Sequence, residues 1–247
     1  MGTATGLFKN STKDYSITLV GDDITTGTFD IVGDVVKQTG NQTRSVIDIF
    51  IPIRSSQLRF TARNSETLFD ELGLIKLGDV TITLNNVTDS VVEFTGYVQP
   101  QNIEKNQKWA AGDFVLTCFD GLILLQQNTY TLNSTYTLAG FLETILEPLT
   151  VVNKALYIAS WQEENMPSTS PSLIRFDASV LNAANNYEAL EIILKRFGLI
   201  ITQSHSRDVI EWKIIQRNQI GGDTSGWLID FSNSSVAKNA NGCDYNS

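Results

Sequence analysis

The sequence predicts an α+β fold that is mainly β, built as two small β-barrel or sandwich-like modules, each with a packed helix. Three observations carry this expectation. Apolar and polar residues alternate with period two through much of the first half, as in Tyr15-Ser16-Ile17-Thr18-Leu19-Val20 and Phe114-Val115-Leu116-Thr117-Cys118-Phe119. Charged residues make up only 18% of the chain, and Thr, Asn, Ser and Gln take the remaining polar positions, which suits half-buried sheets. Helical periodicity is confined to three segments. A chain of 247 residues with 42% hydrophobic content can bury a real core and can divide into two domains. The expected division is a first β-barrel module over 1–130 and a second α+β module over 131–247 with a polar C-terminal tail.

Strands are expected at 15–20, 45–53 and 58–62, with Pro52 marking an edge or a bend. Asn64 or Ser65 can cap a short helix at 66–72, which Gly73 is placed to stop. Strands at 80–84, 91–98 and 114–119 follow. Gly96 inside a strand points to a bulge or a close backbone approach, and Asp120-Gly121 supplies a sharp turn with positive φ at the glycine. In the second half, Ser134 and Thr137 are candidate caps for a helix at 138–149, which Pro148 should fray. The strongest helical pattern is 185–197. Asn185 or Asn186 caps it, Glu188 suits its first turn, Lys195 and Arg196 its last, and Gly198 is a C′ residue. Strands at 199–204 and 209–217 complete the series. The order of elements after Leu58-Arg59-Phe60-Thr61-Ala62 recurs after Ile174-Arg175-Phe176-Asp177-Ala178. A duplicated module would explain that echo, although strand-helix-hairpin is a common order in its own right.

Composition also excludes function classes. With 27 acidic against 18 basic residues, the net charge of −9 and the lack of any Lys/Arg run argue against gripping duplex DNA or an anionic membrane. An acidic chain is compatible with a conduit that DNA traverses without sticking. Cys118 alternates onto the inward side of its strand and reads as a small buried hydrophobe. Cys243 lies in a polar tail, so neither a disulfide framework nor a thiolate metal cluster is expected. The first residues lack a basic stretch leading into an apolar run, and no apolar run reaches membrane-spanning length. A soluble, reducing setting is the expectation.

Catalytic constellations are sparse. His205 is the single histidine and reads as a turn residue, and there is no G-x-S-x-G elbow. The adjacent pairs Asp22-Asp23 and Glu163-Glu164 are not spaced to oppose one another across a cleft. Gly221-Gly222-Asp223 lacks the Lys-Ser/Thr and helix of a phosphate loop. Trp212 alternates with Ile210 and Ile214 and belongs to a core, whereas Trp109 and Trp161 fall in polar loops where an interface contact or sugar stacking is the functional reading. No enzyme, cofactor or metal is therefore expected. The candidate interface residues are Trp109, Gln107 and Trp161.

Several motifs together resemble the hub domains of tailed-bacteriophage tail-tip (baseplate hub) proteins, which are related to the tail-tube module. They are Ser56-x-Leu58, Phe94-x-Gly96-x-Val98-x-Pro100, then Phe114-x-Leu116-x-Cys118-x-Asp120-Gly121-Leu122, and the block Asn186-Tyr187-Glu188-Ala189-Leu190-x-x-Ile193-Leu194-x-Arg196-Phe197-Gly198 before a hairpin carrying Trp212-Lys213-Ile214. The resemblance covers about 44–217. It implies a structural virion protein: a hub subunit at the distal tail that forms a ring around the DNA channel and joins the tail tube to tip proteins. The implied partners are further copies of itself, as a homotrimer or other ring, and other tail-tube and tail-tip proteins, with genome DNA passing but not gripped. The implied location is the virion tail, and the host cytoplasm during assembly. A receptor- or glycan-binding tail-tip module is the alternative, resting on Trp109 and Trp161. A cell-wall hydrolase is a third reading with almost nothing in the sequence behind it.

Overall fold

The computed structural model describes residues 1–39, 51–63, 66–105, 113–149, 152, 154–158, 170–206, 209–216 and 226–239. The chain divides into two compact units. The first comprises Met1–Gly40, Ser55–Gly121 and Arg207–Ile210, and the second Asn41–Arg54, Leu122–Ser206 and Glu211–Ser247. The mainly β, α+β class expected from the sequence holds.

The first unit contains β1 (Gly2–Asn10), β2 (Lys13–Gly21), β3 (Gly27–Ile31) and β4 (Val36–Thr39). After the two-residue strand β5 (Ile53–Arg54), which belongs to the second unit, come β6 (Ser56–Arg63), α1 (Glu66–Leu74), β7 (Thr81–Asn86), β8 (Val91–Val98), β9 (Glu104–Lys105) and β10 (Asp113–Phe119). Seven strands close into a barrel in the order β6-β3-β1-β2-β7-β8-β10, with β10 returning to β6; β4 and β9 attach as extra strands. All these pairings are antiparallel except β1 with β3. The closing pair runs from Asp113↔Arg63 to Phe119↔Gln57. Alternation then sorts the side chains: Ile17, Leu19, Leu58, Phe60, Ile82, Leu84, Phe94, Phe114, Leu116 and Cys118 form one buried cluster. Helix α1 adds Leu68 and Leu72 to that cluster, and Phe69 meets the Phe114 ring edge-on at 5.5 Å between centroids.

Four first-unit strands, β1, β3, β4 and β9, have no counterpart in the sequence reading, and β1 shows why. Its inward positions are Gly2, Ala4 and Gly6, so it carries almost no apolar signal. A Cβ on Gly2 would lie 1.6 Å from the Ile24 carbonyl oxygen, and one on Gly6 would lie 2.6 Å from the Phe29 ring. Close packing demands absent side chains here. Gly96 meets its expectation by the same route, since a Cβ there would lie 2.1 Å from the Phe119 carbonyl oxygen. Gly121 has φ +96°, as the Asp-Gly corner requires. One boundary is corrected: α1 continues through Gly73 to Leu74, so that glycine does not stop the helix.

The second unit opens with a 3-10 segment (Leu122–Gln127), then β11 (Thr135–Thr137), α2 (Leu138–Leu146), β12 (Lys154–Ile158), β13 (Arg175–Asp177), α3 (Asn186–Arg196), β14 (Leu199–Ser206), β15 (Val209–Gln216), β16 (Gly226–Asp230) and β17 (Ser235–Asn239). Six strands form a mixed sheet in the order β17-β16-β12-β15-β14-β5, and β11 pairs with β13 separately. Most of the expected strand at 45–53 lies outside the described residues; Ile53 survives in β5, parallel to β14 through Ile53↔Ile201. His205 falls within β14 rather than in the turn beyond it.

Helix ends follow the sequence rules. Thr137 caps α2 by accepting from the Gly140 amide at 3.0 Å. Asn185 caps α3 by accepting from the Glu188 amide at 2.9 Å, and the Glu188 carboxylate accepts in return from the Ala184 amide at 2.8 Å. Gly198, at φ +63°, ends α3 as a left-handed C′ residue. The α3 stripe of Ala189, Leu190, Ile193 and Leu194 is buried, as are Trp212 and Ile214 on β15. Because Leu194 is fully buried, Leu194→Ala should lower unfolding free energy by about 2–5 kcal/mol. Urea denaturation followed by tryptophan fluorescence measures this, and a loss well under half a kcal/mol would mean that the stripe is not core.

Candidate functional site

Two of the three candidate interface residues, Gln107 and Trp109, belong by sequence to the connection between β8 and β10. That connection leaves β8, makes a 3-10 turn at Pro100–Asn102, and returns through β9, which pairs antiparallel with β10 at Phe114↔Lys105 and Val115↔Glu104. The candidate interface residues Gln107 and Trp109 follow β9 in sequence and lie outside the described residues, as does Trp161. The same holds for Glu163, Glu164, the 221–223 glycine segment and Cys243.

What the structure does bring together is a carboxylate at each end of β10, both gripping β6. At one end Asp113 faces Arg63 across the strand pair, with Nε donating to Oδ1 at 2.7 Å and Nη2 to Oδ2 at 3.1 Å. This two-point contact holds the Asp113 carboxyl below its ordinary range and raises the guanidinium further. At the other end Asp120 is fully buried. Its Oδ1 accepts from the Ser55 hydroxyl at 2.8 Å, its Oδ2 from the Ser56 amide at 2.5 Å, and its own amide donates to the Ser56 carbonyl at 3.1 Å. Sequence reasoning read Asp120 only as a turn former and did not single out Arg63 or Asp113. The Ser55-Ser56 pair at the head of a strand was the available signal, but it needs the strand register to be interpreted.

A second polar cluster sits at the β7–β8 hairpin. Lys13 Nζ lies 2.6 Å from Asp89 Oδ2, while the buried Asn86 donates through Nδ2 to Asp89 at 2.9 Å and to Glu93 at 3.2 Å. The hydrogen bond from Lys13 draws the Asp89 carboxyl down. In the second unit, burial raises the Glu211 carboxyl, opposed by Lys213 and Lys154. Burial likewise raises the Cys118 thiol, in keeping with its reading as an inert core residue.

The Arg63–Asp113, Asp120–Ser56 and Lys13–Asp89 contacts tie strands or strand ends together. Among the described residues there is no group of three His, Cys, Asp or Glu side chains arranged to hold a metal. Two clefts formed by described residues, one of about 180 Å³ beside Pro52 and Leu194 and one of about 210 Å³ beside Thr25 and Glu71, fall below the range of ~300–1,000 Å³ typical of small-molecule sites. No helix among the described residues is long and apolar enough to cross a membrane.

No protein-family model matches the chain, and a search of curated proteins finds no match. Among solved structures, the chain is similar to the 43 kDa tail protein of prophage MuSo2 from Shewanella oneidensis, with 14% identity and a TM-score of 0.42. The similarity covers 84% of this chain and 56% of that one.

The seam yields two expectations. Asp113 is held below its unfolded value, so the folded state binds this proton less readily. The stability from the ion pair is therefore present above the ordinary carboxylate range, near pH 4, and is lost as pH falls through the depressed folded value. Asp113→Asn should flatten the decline of the urea midpoint between about pH 5 and pH 2; an unchanged slope would show the pair contributes nothing. Asp120→Ala strands the buried Ser56 amide and should cost about 1–3 kcal/mol at neutral pH, read from the same denaturation curves.

Proposed function

We propose that this chain is a structural protein of a bacteriophage tail, a hub subunit that assembles with copies of itself into a ring around the DNA channel and joins the tail tube to tip proteins. The observation that carries this reading is the closed barrel with its packed helix. Two of the tail-hub motifs, Phe94-x-Gly96-x-Val98 and Phe114 to Leu122, fall on β8 and β10, which pair with each other in that barrel. The glycine of the first motif lets the β10 carbonyl approach its backbone, and the Asp-Gly of the second ends β10 and clasps β6. The motif residues thus do in this chain the work of closing a barrel.

Function in such a ring is mechanical. The channel wall is to be neutral or acidic, in keeping with the excess of 27 acidic over 18 basic residues, because clustered Lys and Arg would hold phosphates and stall passage. The polar connection carrying Gln107 and Trp109 contacts the neighbouring subunit, with Trp109 as its anchor. A receptor- or glycan-binding role for Trp109 and Trp161 is the second reading.

Purified protein viewed by negative-stain electron microscopy, with mass from light scattering, should give rings with a central opening. Trp109→Ala should weaken ring assembly without changing the thermal unfolding temperature. Duplex DNA should show no measurable affinity at physiological salt. Monomers that bind host cells or glycans would overturn the hub reading in favour of the second, and a channel lined by Lys and Arg would overturn the conduit.

A further inference from the structure

One cross-strand row of the second sheet lines up three charged side chains. Lys154 on β12 pairs with Asp230 on β16, and the register Ala155↔Trp212 sets Lys154 beside Glu211 on β15. Alternation along β15 puts this row on the face opposite the buried Trp212 and Ile214. Lys154 Nζ lies 3.8 Å from Asp230, which also accepts from the Ser232 amide at 3.0 Å and from the Ser232 hydroxyl. Those donors hold the Asp230 carboxyl below its ordinary range. Glu211 is only 6% exposed, and burial drives its carboxyl upward against the pull of Lys213, on its own strand, and of Lys154. On the other side of β15, β14 brings no ionisable residue between Leu199 and Ser204.

We infer that this row is an acid-set clasp: in mild acid a proton from solvent settles on Glu211, Lys154 is left to Asp230 alone, and the second sheet is held more tightly than at neutral pH. A buried ionised carboxylate carries a desolvation cost that its neutral form escapes. At neutral pH the folded chain bears that cost, whereas the unfolded chain keeps Glu211 in water. The folded state therefore binds this proton more readily. Stability is lost as pH rises through the raised folded value and regained as pH falls toward the ordinary glutamate value, about 4.3. This sign is opposite to that of Asp113 in the barrel. Asp113, Asp89, Asp177 and Asp230 are all held low, so their titration falls on the acid side of this window.

The clasp needs no ring and no neighbour, so it and the hub reading fail separately. Trp161, Trp212 and Trp227 belong to the second unit and Trp109 to the first, so fluorescence in a Trp109→Phe background follows the second unit. Its urea midpoint should rise as pH is lowered from roughly 7.5 to roughly 5, and Glu211→Gln should make the profile level. Lys154→Met removes a cation that favours the charged carboxylate and should move the rise to higher pH, a test that remains if Glu211→Gln folds poorly. His205, the single histidine, titrates in the same range, and His205→Asn should leave the rise in place. A wild-type midpoint that stays flat or falls on acidification would overturn the clasp. So would a rise that survives Glu211→Gln, ignores Lys154→Met or disappears in His205→Asn.

Discussion

Everything in the first unit depends on one pairing, that of β6 with β10. Without it the strands from β6 to β10 in the sheet order would be an open sheet with two bare edges, and the interior of phenylalanines and leucines would face water on one side. Closure removes both edges and turns the inward residues of every strand into one core. The seam is held at both ends by side chains of opposite character. At the outer end an ion pair, Arg63 with Asp113, is partly hydrated and responds to acid and salt. At the inner end a buried carboxylate, Asp120, is satisfied by a hydroxyl and a backbone amide. The two clasps fix the strand register, because a shift of a single residue would separate both carboxylates from their partners and turn the core outward.

The same economy explains the glycines. Barrel walls this tight cannot carry a side chain at every inward position, and Gly2, Gly6 and Gly96 sit where backbone or a ring has already taken the space. These positions bury nothing apolar of their own, yet their substitution would open the wall.

This also sets what was legible in the sequence. Segments with bulky alternation, such as β2, β8 and β10, and helices with clear caps, such as α3, were readable because burial and capping leave residue-level signatures. β1 was not, since its inward residues are small for steric reasons. β3, β4, β16 and β17 were not, since a strand of four or five residues with polar partners leaves too short a pattern to distinguish from a loop. The core roles of Cys118 and Trp212 could be read from alternation alone. The clasps of Arg63, Asp113 and Asp120 could not, because a cross-strand pair exists only once register is known, and register between strands some 50 residues apart is a property of the whole fold.

The position of β5 carries a consequence for how the protein is made. Ile53 and Arg54 are synthesised before most of the barrel, yet their partner strand β14 follows roughly 150 residues later, which at ~5–20 residues per second is a delay of about 7–30 seconds. During that interval the barrel can close through β10, whose last residue precedes all of the second unit except its segment at 41–54. The second sheet cannot be finished in the same order. It must wait for β14 to emerge and then recruit a strand that the ribosome released long before, from a segment already tethered to a folded barrel at Ser55 and Ser56. The nascent chain is therefore expected to hold a completed barrel beside an unfinished sheet edge, and during that window a chaperone or another nascent copy would find it most exposed.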